Sequence, residues 1–329
     1  MRGAAALVIG LAFVAAAQAR EPAGDVVGIH DPVIIREDDT YYIYSTNTDA
    51  PPATLRIRSS KDLEHWTARG HVFDKLPQWA SRLIPGSRGA WAPDIAFVAG
   101  RYLLYYSVST FGSNHSAIGL ATNETLDPDA PNYRWNDEGV VVASTRESDF
   151  NAIDPNHVVD RDGRHWLSLG SFWSGIKLFE LDPDTGKLRD PGAKPRSLAS
   201  RPVPKGAPAS LEAPFIVTRP DHYYLFVSYD YCCKGAQSTY YVVVGRAKKI
   251  TGPYLGRDGS RLLEGGGSVF IRSQDGQRFR GQGHNGWLHD TDGQDYVVYH
   301  AYDRENEGKS TLRIAPVVWD REGWPELTR

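Results

Sequence analysis

Apolar and polar residues alternate along this chain in short runs, and the runs come in pairs. Asp31-Pro32-Val33-Ile34-Ile35 is followed by Tyr41-Tyr42-Ile43-Tyr44-Ser45. Pro93-Asp94-Ile95-Ala96-Phe97-Val98 leads to Tyr102-Leu103-Leu104-Tyr105-Tyr106-Ser107, and Asp154-Pro155-Asn156-His157-Val158-Val159 to His165-Trp166-Leu167-Ser168-Leu169. Leu211-Glu212-Ala213-Pro214-Phe215-Ile216-Val217 and His284-Asn285-Gly286-Trp287-Leu288 are each followed by an aromatic run of the same kind, at 222–229 and 296–300. Runs of this length, rich in Tyr, Val and Ile and bounded by turn residues, read as strands. No stretch carries an i, i+3, i+4, i+7 apolar stripe over three turns, so helix is expected only as single turns, at 60–66 and 123–126. Asp162-Gly163, Asp258-Gly259, Asp275-Gly276 and Asp292-Gly293 each sit between strand-like runs, where tight hairpins are expected.

Each pair opens on a polar anchor: Asp31, Asp94, Asp154, Glu212 and His284, separated by 63, 60, 58 and 72 residues. A period near 60 with hairpins in every unit is too long for a solenoid repeat and suits a propeller blade of four antiparallel strands. The expected fold is therefore all-β, a five-bladed β-propeller with about four strands per blade. The innermost strand of every blade runs beside the axis, so the five anchors are expected to occupy one station and face one cavity. Asp190 to Pro214 holds six prolines, but the pattern is the same on either side. It reads as an outer strand and the crossing that delivers Glu212, not as a domain boundary.

The N-terminus departs from this pattern. Met1-Arg2-Gly3, an apolar run from Ala4 to Ala17 and the closing Ala17-Gln18-Ala19 read as a secretory signal peptide, residues 1–19. That leaves 20–329 as one catalytic propeller and a destination in the periplasm or outside the cell. Lys and Arg number 37 against 40 Asp and Glu, a balance that argues against nucleic acid or an anionic membrane as partner and favours a neutral ligand. Cys232 and Cys233 are adjacent, so they close no long loop; a vicinal ring in an oxidising compartment and two buried thiols are both open.

The chemistry lies with the acids. Nucleophile-elbow and zinc-protease signatures are absent. Gly281-Gln282-Gly283-His284-Asn285-Gly286 matches a dinucleotide fingerprint in letters only, because no helix follows it. An Asp before Pro is ordinarily a turn; recurrence at blade spacing is what turns these into candidates. Carboxylates from different blades meeting at one axis could flank a glycosidic bond, one as proton donor and one activating water, with a third raising the donor's pKa by like-charge repulsion.

Gly28-Ile29-His30-Asp31-Pro32, Trp91-Ala92-Pro93-Asp94-Ile95, Asn151-Ala152-Ile153-Asp154-Pro155, Gly170-Ser171-Phe172-Trp173 and Leu211-Glu212-Ala213-Pro214 resemble the motif set of glycoside hydrolase family 43. The stretch 106–114 and Gly283-His284-Asn285 narrow the resemblance to its endo-α-1,5-L-arabinanases. It implies a five-bladed propeller and an inverting hydrolase of neutral arabinan or arabino-oligosaccharides, expected to work as a monomer. In that resemblance Asp31 is the general base, Glu212 the general acid, and Asp154 raises and holds the acid. Trp91 and Phe111 would stack sugar rings, Asn151 and Ser171 would meet hydroxyls, and His30 would orient the base or touch sugar. His284 resembles an axial histidine that binds calcium or another small cation largely through water; a histidine hydrogen-bonded to backbone is the plainer alternative. Asp94 is expected to brace the second blade. The competing functions are an exo-acting α-L-arabinofuranosidase or β-xylosidase on the same scaffold, a retaining fructan hydrolase, and a sugar-binding propeller that has lost catalysis. The last would lack at least one of the three acids, and all three are present.

Overall fold

The structure, a computed structural model, describes residues 21–47, 54–204 and 208–328. The proposed signal peptide lies outside the described residues. Strands dominate, and they form five sheets, each built from a contiguous stretch of chain. Blade 1 comprises Ile29–Glu37, Thr40–Asn47, Arg56–Ser60 and His65–His71, with Ala23–Gly24 added in parallel on the outer edge. Blade 2 runs from Ala90–Val98 to Asn136–Ser144, blade 3 from Asn156–Val159 to Arg196–Ala199, blade 4 from Leu211–Thr218 to Ser268–Ile271 and blade 5 from Phe279–His289 to Pro325–Leu327. The five inner strands touch one another in cyclic order, which makes the sheets a five-bladed propeller.

The paired runs are apolar throughout because most of these strands are buried on both faces. Side chains alternate across a strand. On Thr40–Asn47, Tyr42 and Tyr44 enter the core shared with blade 2, while Tyr41 and Ile43 enter the core shared with blade 5. The hydrophobic core is accordingly divided into five wedges, one at each blade-to-blade interface.

Among the described residues, the ring closes without exchanging a strand between its first and last blades. The stretch before blade 1 instead runs along blade 5: the Gly28 N–H donates to the Ser310 carbonyl at 2.8 Å and the Leu312 N–H to the Val26 carbonyl at 3.0 Å. The fully buried guanidinium of Arg58 holds that stretch to blade 1 through the Asp25 carbonyl at 2.8 Å. At the inner edge, Asp290 of blade 5 accepts from Arg36 and from the Tyr41 hydroxyl of blade 1, the latter at 2.6 Å.

Two expectations need correction. Asp258-Gly259 does turn a small hairpin, closed by the Gly256 N–H on the Ser260 carbonyl at 2.8 Å and an antiparallel bridge of Leu255 to Arg261, but it lies in an excursion between Tyr241–Ala247 and Ser268–Ile271; Asp275-Gly276 lies in the crossing from blade 4 to blade 5 and closes no hairpin. A short helix, Gln78–Leu83, bridges blades 1 and 2. At six residues it is too short to show a stripe, and only Ala80 is buried.

Candidate active site

The innermost segment of every blade bends at one residue, within the strand in blades 1, 2, 4 and 5 and two residues ahead of it in blade 3. Asp31, Ala92, Asp154, Ala213 and His284 hold left-handed backbones, with φ of 52°, 43°, 57°, 56° and 50°. Non-glycine residues rarely adopt this conformation, and it persists only where surrounding contacts enforce it. The register slips at the bend in blades 1, 2, 4 and 5. The equivalent station is therefore occupied by Asp, Ala, Asp, Ala and His, which corrects the expected ring of five polar anchors. Glu212 precedes its station by one residue and Asp94 follows its own by two. Asp94 is buried and turned into the joint with blade 3, where it accepts the His157 N–H at 2.6 Å.

What enforces the bends is a ring of side-chain-to-backbone hydrogen bonds, each reaching from one blade's second strand to the next blade's bent residue. Thr46 accepts the N–H of Ala92 at 2.8 Å, Ser107 that of Asp154 at 3.0 Å, and Ser228 that of His284 at 2.9 Å. His300 Nδ1 accepts that of Asp31 at 3.1 Å and completes the circle. Blade 3 has Gly170 at the corresponding place, where a Cβ would lie 2.6 Å from the Gly175 carbonyl oxygen. There the carboxylate of Asp154 does the same work, accepting the N–H of Ala213 at 3.1 Å. Asp154 thereby grips the residue next to Glu212.

The bends deliver three carboxylates from blades 1, 3 and 4 to one cleft of about 880 Å³. Asp31 Oδ1 lies 2.6 Å from His30 Nδ1 and 3.0 Å from His284 Nδ1, and Oδ2 accepts the Thr46 hydroxyl at 2.6 Å. Burial works to raise the Asp31 carboxyl, but the two histidines outweigh it and hold it well below the usual carboxylate range. Burial pushes Asp154 the other way, well above that range; the charge of His284 opposes the shift, and those of Glu212 and Asp31 add to it. Glu212 accepts the Ser171 hydroxyl on Oε2 at 2.7 Å and the Tyr240 hydroxyl on Oε1 at 2.8 Å. Of the neighbouring pair, Asp154 is buried and Glu212 is partly open to the cleft.

His30, Trp91, Phe111, Asn151 and Ser171 all line the same cleft. Phe111 is 85% exposed, an apolar ring with no protein partner over most of its surface. Asn151 accepts the Ser116 hydroxyl on Oδ1 at 2.7 Å, which leaves its NH₂ group as a donor. His30 Nε2 meets the Tyr302 hydroxyl at 2.7 Å, and that oxygen accepts the Cys233 N–H at 2.8 Å. Cys232 and Cys233 are joined as a disulfide on the cleft wall. Trp173 and Tyr231 also line the cleft and went unread in the sequence, since aromatic residues in strand-rich chains are ordinarily core. Thr46, Ser107 and Ser228 were legible only as hydroxyl residues near the ends of aromatic strands.

His284 sits beneath the cleft, on Asp31. Burial lowers its imidazole, but Asp31, Asp154 and Glu212 together raise it to about 9. A positive charge is thus called for at the axis. Were a hydrated cation to supply it, His284 Nδ1 is placed to hand its N–H to Asp31, as a metal-bound histidine commonly does to a carboxylate. Both amide atoms of the adjacent Asn285 are buried without a protein partner. Protein oxygens alone do not form a calcium shell. Among the described residues, the triads whose ligating atoms close on one another are His30–Cys232–Cys233 and His30–Asp31–His300, and neither includes His284.

Comparison with known proteins decides the family. The model of Glycosyl hydrolases family 43 matches residues 26–325, from the lead into blade 1 to the last strand of blade 5. The chain belongs to glycosyl hydrolases family 43. Within family 43 it is similar to the extracellular exo-α-(1→5)-L-arabinofuranosidase of Cellvibrio japonicus, 43% identical over 308 residues, which cover 92% of this chain and 86% of that protein. It is also similar to the extracellular endo-α-(1→5)-L-arabinanase 1 of Bacillus subtilis, 41% identical over 329 residues, covering 98% and 95%. A solved structure of Cellvibrio cellulosa α-L-arabinanase complexed with arabinohexaose matches with a TM-score of 0.85 at 42% identity, over 92% of this chain and 96% of that one. As a family 43 member the protein is a glycoside hydrolase, and its likeness to these relatives spans all five blades.

Proposed function

We propose that this enzyme cleaves α-1,5-L-arabinofuranosidic bonds within arabinan, outside the cytoplasm, by single-displacement inversion. The observation that carries the reading is the convergence of Asp31, Asp154 and Glu212 on one cleft, with their environments pushed apart. Asp31 is held ionised and keeps a lone pair on Oδ2 beyond the one taken by Thr46. It serves as general base, drawing a proton from the water that attacks the anomeric carbon. Glu212, the acid open to the cleft, gives its proton to the departing O5, and Asp154 holds it in place by accepting the N–H of the adjoining Ala213. Trp91 and Phe111 stack furanose rings, while Asn151, Ser171 and His30 meet sugar hydroxyls or hold the acids. A small cation such as calcium, held by His284 and otherwise by water, would add positive charge to the axis; the His284 imidazolium meets the same need from within the chain. The relatives named extracellular support a secreted or periplasmic destination, and the enzyme is expected to act alone as a monomer.

The second reading is exo action, favoured by the 43% identity to an exo-acting relative. A cleft walled by all five blades, with room beyond one sugar and an exposed ring at Phe111, supports binding of a chain in either mode. Early products from linear arabinan separate them: a ladder of oligomers means internal cuts, and one short product from the first minutes means exo action. The same digest followed by NMR should show inverted anomers first. Retained anomers would overturn the role of Asp31.

A further inference from the structure

Tyr240 is 1% exposed, yet its hydroxyl donates to Glu212 Oε1 at 2.8 Å. Its ring is wedged against blade 5. There it stacks near His300, centroids 5.8 Å apart and planes 21° from parallel. The strand partner of His300 is Gly283, where an added Cβ would come within 2.1 Å of Tyr240 Cδ1. The glycines that mimic a dinucleotide motif thus find a structural use: Gly283 admits this ring against the axis, and Gly281 admits Ser238, whose Cβ would lie only 2.4 Å from an added Cβ. Burial beside Glu212, Asp154 and Asp31 pushes the Tyr240 phenol well above its ordinary pKa, so it remains a donor at every working pH.

We infer that Tyr240 is a positioning residue for proton donation, its hydroxyl stabilising the Glu212 carboxylate that forms as the leaving oxygen is protonated. The inference rests on Glu212 being the general acid. A hydrogen bond to a neutral carboxylic acid strengthens when that acid becomes an anion, so the interaction grows along the reaction and lowers the barrier. Ser171 donates to the other oxygen from the cleft side, where substrate and water compete for it. Tyr240 is out of their reach, and its bond is the more constant of the two.

The test is Tyr240→Phe, which removes one oxygen and keeps the wedge. On α-1,5-arabinohexaose, kcat should fall about tenfold to a hundredfold, the worth of a hydrogen bond to an ionised group. KM should stay within about twofold, since the interaction belongs to the transition state. On an arabinotrioside carrying a 2,4-dinitrophenyl leaving group, which needs little protonation, kcat should fall less than about threefold. Equal losses on both substrates, or a loss appearing as raised KM, would reduce Tyr240 to a packing residue; thermal unfolding confirms that the variant is folded. Glu212→Gln run in parallel separates the two levels. If it keeps hexaose hydrolysis, the general-acid reading fails. If it loses hydrolysis while Tyr240→Phe does not, the inference about Tyr240 fails by itself.

Discussion

Thr46→Val probes the ring of hydrogen bonds at the point where it touches the chemistry. The Thr46 hydroxyl accepts the Ala92 N–H and donates to Asp31 Oδ2, so one atom joins blade 2 to blade 1 and braces the proposed base. Valine has nearly the same shape and suits a strand, so no cavity is made. What is lost is the hydroxyl. The Ala92 N–H, on a residue 2% exposed and already in a left-handed bend, is left buried without a partner. An orphaned buried donor costs about 1–3 kcal/mol, and a donor lost from a charged acceptor about 1.5 kcal/mol at the low end, because His30 and His284 still serve Asp31. The sum is near ~3 kcal/mol. For a chain of roughly 300 residues the unfolding entropy makes that a drop of about 5 °C in Tm. Asp31 also becomes a weaker acid, so the acidic limb of kcat/KM should move to higher pH by up to about one unit. The assay pairs calorimetric melting with pH–rate profiles, and Thr46→Ser, which keeps both bonds, should sit close to the parent. An unchanged Tm together with an unmoved acidic limb would refute the view that these bonds hold the bends.

Two further variants bear on the joints between blades. Burial raises Asp94 to about 7, with the His157 N–H and other hydrogen bonds opposing. Its protonation therefore supports the fold fully below about pH 4, and that support is lost as pH rises through about 7. Asp94→Asn, which keeps an oxygen for the His157 N–H, should raise Tm relative to the parent at pH 8 and leave it nearly unchanged at pH 4.5; a lower Tm at pH 8 would contradict the assignment. Asp290→Ala removes the acceptor shared by Arg36 and Tyr41 across the seam, and should cost roughly 2–3 kcal/mol by urea denaturation, discounted for the partly exposed arginine. No change in the denaturation midpoint would mean that the backbone pairing at Val26–Gly28 carries the seam without it.

The blades were legible because their second strands are buried on both faces, and nothing but paired aromatic and branched residues satisfies that. Tyr41 and Tyr42 belong to different wedges of core, so their adjacency records two neighbours rather than one. The candidate site positions were legible more coarsely. His30, Asp31, Trp91, Phe111, Asn151, Asp154, Ser171 and Glu212 reach one cleft, but the reason is a backbone bend whose occupant need not be polar. Alanine at 92 and 213 satisfies it as well as aspartate at 31 and 154, so polarity alone misplaced the station in blades 2 and 4. Tyr240 could not be read at all, because its role depends on an absent Cβ at Gly283, more than forty residues away. The seam between blades 5 and 1 was hidden for a related cause: beside the Asp290 contacts it uses backbone N–H and carbonyl groups around Val26 and Gly28, which carry no sequence signal.

Among the described residues, no blade borrows a strand from the far end of the chain. Each sheet can therefore form from neighbours in sequence as the polypeptide emerges, with only modest loop-closure entropy at every step. The arc stays open until the fifth sheet arrives and is fastened to the first by the residues around Val26 and Asp290. Until that clasp shuts, blades 1, 3 and 4 have no common axis, and the three acids share no cavity. Hydrolytic competence therefore depends on the clasp as much as on the acids themselves, and loosening the clasp should weaken it.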